Sequence, residues 1–343
     1  TIPEALKAIR MQDSTAGSAL VFVVKVKDAT AEITGADIVG TVSETGERTG
    51  LKLFETAGNK YGFEPMIYIA PRYSALDAVK QELIVITEKT EAMAYIDTPD
   101  GWGFNQAIES RGAEGDFATL KAGQKLLFPH VLVANPEYNP DVEDPGERYL
   151  TLPVSAYAAG LRAKVDLTEG WHVSSSNHAY TGIEGTDVPI TFALSDKTCE
   201  ANLLNAQGIT TVVNMYGNGI GEWGNYTAAF PSTTTPDAFE CVRRSLMIMK
   251  RSITMACAQF IDVKQVKQAD IDLVRNIVNQ YYNRLTAEGK IVYGQCFFDP
   301  AKNPATELAQ GYVTFSNEWT PAVPMQRMTF DHKIDINKLS TIE

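Results

Sequence analysis

Three serines beside a histidine, Ser174-Ser175-Ser176-Asn177-His178, with Asp187 downstream, are the residue types an acyl-transfer enzyme uses: a hydroxyl nucleophile, an imidazole base and a carboxylate that orients it. That chemistry needs the serine raised on a sharp strand-to-helix turn, and the chain has no G-x-S-x-G elbow. Serines among Gly and Asn residues more often satisfy their own turn backbone. A second candidate is Gly219-Ile220-Gly221-Glu222-Trp223-Gly224, which fits G-x-G-x-x-G after a predicted strand. A dinucleotide site also requires a helix to begin there, so that its free N–H groups meet the pyrophosphate. Residues 226–235 read instead as a loop. Together these segments define an alternative function, an α/β hydrolase or nucleotide-binding enzyme using Ser176 and His178 or the Gly219–Gly224 turn.

Other reactive residue types are scattered. His130, His172, His178 and His332 lack the H-E-x-x-H spacing of a zinc site. Cys199, Cys241, Cys257 and Cys296 form no C-x-x-C pair and read as reduced thiols, with Cys241 and Cys257 on the core face of one helix. Arg243-Arg244 with Lys250-Arg251 reads as a basic patch facing solvent or a partner's carboxylates. No catalytic residue, metal or cofactor is expected, and the chain is read as not an enzyme.

The elements that would position these residues alternate between helix and strand, the pattern of a mainly parallel α/β sheet. Pro3 to Met11 reads as a helix and Leu20 to Val26 as a strand. Leu51, Phe54, Ala57 and Tyr61 sit at helical spacing before Gly62, and a strand covers Met66 to Ala70. A helix over Leu76 to Thr87, a strand over Ala92 to Ile96 and one or two strands within Leu126 to Ala134 follow. An acidic, Pro-containing loop, Asn135 to Glu147, precedes a helix over Val154 to Ala163 and an irregular stretch from Gly170 to Gly185. Ile209 to Val213 is a β-branched strand, and Pro236 to Phe260 reads as one long helix with Thr235 as N-cap. A helix from Ile271 to Glu288 and strands over Ile291 to Phe298 and Gly311 to Phe315 complete the body. In the tail, Met328, Phe330, His332, Ile334 and Ile336 recur every second position, a strand with no later element to cover it.

The chain has 343 residues, is 44% hydrophobic and carries a formal charge of −12, so it can bury a large core but is poorly suited to gripping phosphates. Its apolar run Ala19 to Val24 is far shorter than the roughly 20 residues a membrane span requires. Neither direct nucleic-acid binding nor membrane insertion is expected. The opening Thr1-Ile2-Pro3-Glu4 shows no secretory leader, and the expectation is that the true start lies upstream.

Several segments, taken in order, resemble the contractile tail sheath subunits of phages and phage-derived particles. They are Thr49-Gly50-Leu51, Tyr61-Gly62-Phe63-Glu64-Pro65-Met66-Ile67-Tyr68-Ile69-Ala70-Pro71, Leu152-Pro153-Val154-Ser155-Ala156 and Ala159-Gly160-Leu161-Arg162-Ala163 with Asp166. Gly170-Trp171-His172, Ser176-Asn177, Leu204-Asn205, Gly208 to Val213 and Trp223-Gly224-Asn225 follow, then Val242-Arg243-Arg244, Phe298-Asp299-Pro300 with Asn303, and Ile334-Asp335-Ile336. The family-motif positions singled out are Trp171, Asn177, Trp223, Asn225, Arg243 and Asp299.

The resemblance implies a subtilisin-like sheath core over 1–262 without catalytic residues, a smaller α+β C-terminal domain over 263–324, and an arm over 325–343. Within that arm, Met328, Phe330, His332, Ile334 and Ile336 would pair with a neighbouring subunit. It further implies a helical homopolymer around a tail tube, with baseplate and terminator proteins as partners, in a virion tail or phage-derived particle assembled in the bacterial cytoplasm. The family's N-terminal arm has no counterpart here, Lys27 to Arg48 leaves no room for an insertion domain, and Tyr226 stands where the family often has Arg.

Overall fold

The computed structural model describes residues 2–13, 19–27, 32–142 and 146–337. Parts of the Lys27 to Arg48 segment, of the acidic loop and of the predicted arm (28–31, 143–145 and 338–343) lie outside the described residues, as does Thr1.

In chain order the elements are α1 (Ile2–Gln12), α2 (Gly35–Val39), α3 (Ala57–Tyr61), β1 (Ile67–Ile69), α4 (Asp77–Thr90), β2 (Met93–Asp97), α5 (Phe104–Glu109), β3 (Gln124–Leu127), β4 (Val131–Ala134) and β5 (Tyr149–Leu152). They continue with α6 (Ser155–Thr168), β6 (His178–Ala179), β7 (Gly185–Thr186), α7 (Glu200–Asn205), β8 (Ile209–Asn214), β9 (Ile220–Trp223), α8 (Glu240–Ala258), α9 (Gln268–Ala287), β10 (Ile291–Phe298), α10 (Ala305–Leu308) and β11 (Phe315–Pro321). The main sheet has the order β1-β2-β3-β8-β9-β6. Its first four strands are parallel, and β9 and β6 add antiparallel pairs, so the sheet is mixed. A three-stranded antiparallel sheet β5-β4-β7 and a two-stranded ribbon β10-β11 are separate. Among the described residues no helix is long and apolar enough to cross a membrane.

Strand alternation divides the core into layers. On β2, Ala94 and Ile96 face α4, where Val79, Leu83 and Ile86 are fully buried. Met93 and Tyr95 face the opposite layer of α1, α6 and α8, with Ala8, Leu161 and Met247. Each such large aliphatic side chain contributes about 1.5–3 kcal/mol on burial. The α1 and α6 helices approach closely at Gly160, where an added Cβ would lie 2.6 Å from the Ile9 carbonyl oxygen. A third cluster joins Met249 of α8 to Val278, Tyr282 and Leu285 of α9 and Ile291 and Cys296 of β10. One helix, α8, therefore contributes to two cores.

Three expectations are corrected. Leu20 to Val26 joins no ladder among the described residues. The predicted helix from Pro236 breaks after a 3-10 turn, Pro236–Ala238, because Phe239 is extended (φ −77, ψ 131), bridges Tyr226 and stacks on its ring at 4.9 Å. The strand expected over Gly311 to Phe315 instead begins at Phe315, since residues 315–321 are the ones that register with β10.

Candidate functional site

The serine-histidine segment forms no catalytic constellation. The Ser176 hydroxyl accepts from the Gly224 N–H at 3.0 Å, and His178 turns its Nε2 to Glu169 at 2.8 Å and its Nδ1 to the Ser175 and Ser176 carbonyls. Asp187 lies instead beside His130, 3.8 Å from Nδ1. Ser176→Ala therefore removes one hydrogen bond, about 0.5–1.5 kcal/mol, and leaves assembly unchanged; chemical denaturation and electron microscopy of the variant check both.

The glycine motif is a hairpin. Met215 N–H donates to the Gly219 carbonyl at 2.9 Å, and β9 runs antiparallel to β8. Gly219 and Gly224 have φ of 95° and 128°, and a Cβ on Gly221 would lie 2.1 Å from the His178 carbonyl. The glycines serve the turn and the close strand contact, and no helix starts there.

Beneath that hairpin lies a fully buried ionic cluster. Lys125 of β3 donates to Glu222 of β9, to Glu240 Oε2 of α8 at 2.6 Å and to the Ser175 hydroxyl at 3.3 Å. Ser175 and Tyr180 donate to Glu222 at 2.6 and 2.9 Å, and Tyr95 donates to Glu240. Burial would raise the Glu240 carboxyl, but Lys125, Arg162 and Arg244 hold it down at about 2. Burial, with Glu240 adding to it, pushes the Tyr95 hydroxyl well above its ordinary value, and burial with Glu222 does so for Tyr180. One layer outward, Asp166 accepts from Arg162 Nε at 3.0 Å and from Arg244. Within the inner group Lys125, Ser175, Tyr95 and Tyr180 all donate to its two glutamates, so it clamps β3, β9 and α8 together.

The basic patch expected on α8 is corrected by this arrangement. Arg244 is 2% exposed and bound to Asp166, Arg251 pairs with Glu64 at 2.6 Å, and Lys250 pairs with Glu91 at 2.7 Å. These cations meet the chain's own carboxylates. Sequence reasoning did not find Lys125, Glu222 or Glu240. The one local signal was a lysine inside the apolar run Lys125-Leu126-Leu127-Phe128, an expensive residue to bury unless paired.

The motif positions are dispersed. Trp171 packs on the α8–α9–β10 cluster, with Lys290 Nζ 5.9 Å from its ring centre. Asn177 has φ 65 and donates its N–H to the Glu222 carbonyl at 2.7 Å. Trp223 meets Phe192 edge-on at 4.9 Å, and Asp299 caps the turn at Pro300 by accepting from Ala301 N–H at 2.9 Å. Arg243 has a buried Nε without a partner among the described residues. Asn225 accepts from Gln326 Nε2 at 2.6 Å, tying the start of the tail to the β9–α8 connection.

Beyond Gln326 the tail forms no strand within this chain among the described residues. Residues 328–336 form no ladder, and Met328, Phe330, Ile334 and Ile336 are 68–88% exposed; His332 stacks on Phe330 at 6.5 Å. The alternation is present in the sequence, but a single extended segment without a partner strand cannot satisfy its backbone groups. The ribbon β10-β11 is complementary to this: α9 packs on it, both outer edges are unpaired among the described residues, and Val292 and Tyr293 stand exposed at 62% and 46%.

A family model described as the phage tail sheath protein central domain matches residues 31–228. The tail sheath protein of Burkholderia phage BcepMu is 37% identical over 314 residues, which cover 91% of this chain and 64% of that protein. The major tail sheath protein of Serratia phage KSP20 is 31% identical over 334 residues, covering 95% of this chain and 78% of that one. Among solved structures, the helical sheath of the anti-feeding prophage in its contracted state superposes with a TM-score of 0.65 at 18% identity, over 86% of this chain and 76% of that one. The chain thus spans 64% of the length of the first of these relatives.

Proposed function

This chain belongs to the phage tail sheath protein family, and we propose that it is a structural subunit of a contractile sheath, not an enzyme. In this reading a subtilisin-like core over 1–262 and a smaller α+β domain over 263–324 are rigid bodies, and 325–343 is an arm that adds a strand to a neighbour. The observation that carries it is the alternating tail, Met328, Phe330, His332, Ile334 and Ile336, exposed and outside any ladder among the described residues, beside a terminal ribbon whose two edges are likewise unpaired among them. Strand addition supplies main-chain hydrogen bonds to both sides, and alternate side chains give register.

Contraction in this scheme is a change between two packings of rigid cores, with backbone-paired arms as hinges. Nothing in it calls for a nucleotide or a metal. The partners are other copies of the chain, a tail tube, a baseplate and a terminator protein, with assembly in the bacterial cytoplasm into a virion tail or a phage-derived particle. Negative-stain electron microscopy of the gene's complete product tests the reading: hollow helical tubes or stacked rings are expected. Monomers that persist at high concentration and without salt dependence overturn it.

A further inference from the structure

The free edge of the main sheet is unfinished. Among the described residues β1 pairs with β2 on one side only. A cleft of about 520 Å³ is lined by all of β1 and by Ala19–Phe22, with no residue of β2 or β3 on its walls. It reaches both core layers: Ile67 and Ile69 pack toward the layer of α1 and α6, and Tyr68 toward the layer of α4. Residues 19–22 form part of its wall, and the segment they open has Phe22, Val24 and Val26 half-buried and Val21, Val23 and Lys25 exposed. That is the period of a strand, yet the segment joins no ladder among the described residues.

An independent observation points into the same cleft. Arg244 lines it, is 2% exposed, and has Nε and Nη1 without partners among the described residues, while its Nη2 donates to Asp166. Three sets of hydrogen-bonding groups therefore border one slot: the outer edge of β1, the backbone of Ala19–Phe22, and the orphan donors of a buried guanidinium. A β-strand answers all of them, since one edge can pair with β1, the other with Leu20–Val26, and a carbonyl can accept from Arg244.

We infer that this cleft seats an additional β-strand with alternating apolar side chains, contributed by residues of the same polypeptide outside the 343 described by this sequence. The walls are continuous with both main hydrophobic clusters, which favours a permanent strand over an exchangeable partner, because an open apolar edge of this kind invites aggregation. The relatives have polypeptide to supply it: this chain covers 64% of the BcepMu protein and 76% of the anti-feeding prophage sheath chain. About seven residues suffice to run beside Leu20–Val26 at roughly 3.3 Å each. The inference concerns the fold of the monomer and stands apart from the sheath reading.

Amide hydrogen exchange on the gene's complete product, held monomeric, tests it. Amides of Leu20–Val26 are expected to exchange about 100-fold or more slowly than in an unstructured chain, and to lose that protection in residues 1–343 alone while β2 and β3 keep theirs. Equal exchange in the two proteins overturns the inference. Protection that arises only on assembly assigns the strand to a second copy and also overturns it. Should residues 1–343 not fold alone, a photo-crosslinker at Val24 of the complete product decides: capture of a residue outside 1–343 of the same molecule supports the inference, and capture only within 1–343 or of another molecule overturns it.

Discussion

Replacing Lys125 with methionine lowers folding stability by about 3–5 kcal/mol, the usual cost of stranding a buried charge partner. The variant leaves Glu222 and Glu240, both fully buried, facing each other without their shared cation. Methionine fills nearly the same volume, so little of the loss comes from packing. Restoring neutrality with Glu222→Gln and Glu240→Gln in the same chain recovers most of the stability, since replacing a whole buried ionic group costs far less than breaking it. Urea denaturation of the three proteins measures this; a single variant within about 1 kcal/mol of the parent would show that the cluster is not a clamp.

The same cluster sets an acid dependence. Although burial would raise it, the Glu240 carboxyl is held at about 2 by Lys125, Arg162 and Arg244, below the roughly 4.3 of an unfolded glutamate. A depressed folded value means the ionised form is favoured in the native state. Its stabilisation is complete above the unfolded value and fades as pH falls through about 2. In Lys125→Met the Glu240 carboxylate loses the first of the cations that hold it down, so this acid dependence weakens and the variant loses less stability than the parent as pH falls through the acid range.

Deleting residues 325–343 abolishes sheath formation and leaves a folded protein. A hydrogen bond from Gln326 to Asn225 anchors the start of the tail to the body, and the apolar residues beyond it face solvent. Stability of the monomer therefore changes by no more than about 0.5–1 kcal/mol. Assembly has much more to lose, since Met328, Phe330, Ile334 and Ile336 can each gain about 1.5–3 kcal/mol when a neighbour covers them. Electron microscopy and sedimentation read the outcome, and intact tubes from the truncated protein would refute the arm. The double variant Ile334→Asp with Ile336→Asp keeps the chain length and is expected to block assembly through side chains alone.

The helices and parallel strands with strong local periodicity were legible. Gly62 ends its helix with φ 75, and the β-branched run at Ile209 is a central strand. Phe239 was not legible as a break, because its reason is a stacked aromatic partner, Tyr226, that belongs to a different segment. The serine-histidine and glycine motifs could be discounted from missing context alone, and the geometry supplied the reason: Ser176 is bound by turn backbone, His178 by Glu169 and Ser175 by the buried ionic cluster. The buried clamp was invisible, since Lys125 lies 97 and 115 positions from its two carboxylates.

What the amino-acid order determined by itself was local: periodicity, capping and turn chemistry, and the alternation at residues 20–26 and 328–336, because these depend on side chains within a few positions. Only the tertiary structure decided which alternating segments become strands. A ladder needs a partner backbone at about 4.8 Å, and neither segment has one among the described residues. The tail beyond Gln326 is exposed, while Ala19–Phe22 border a cleft beside β1. Both read alike as strands in one dimension, and the neighbours that complete them are a property of three.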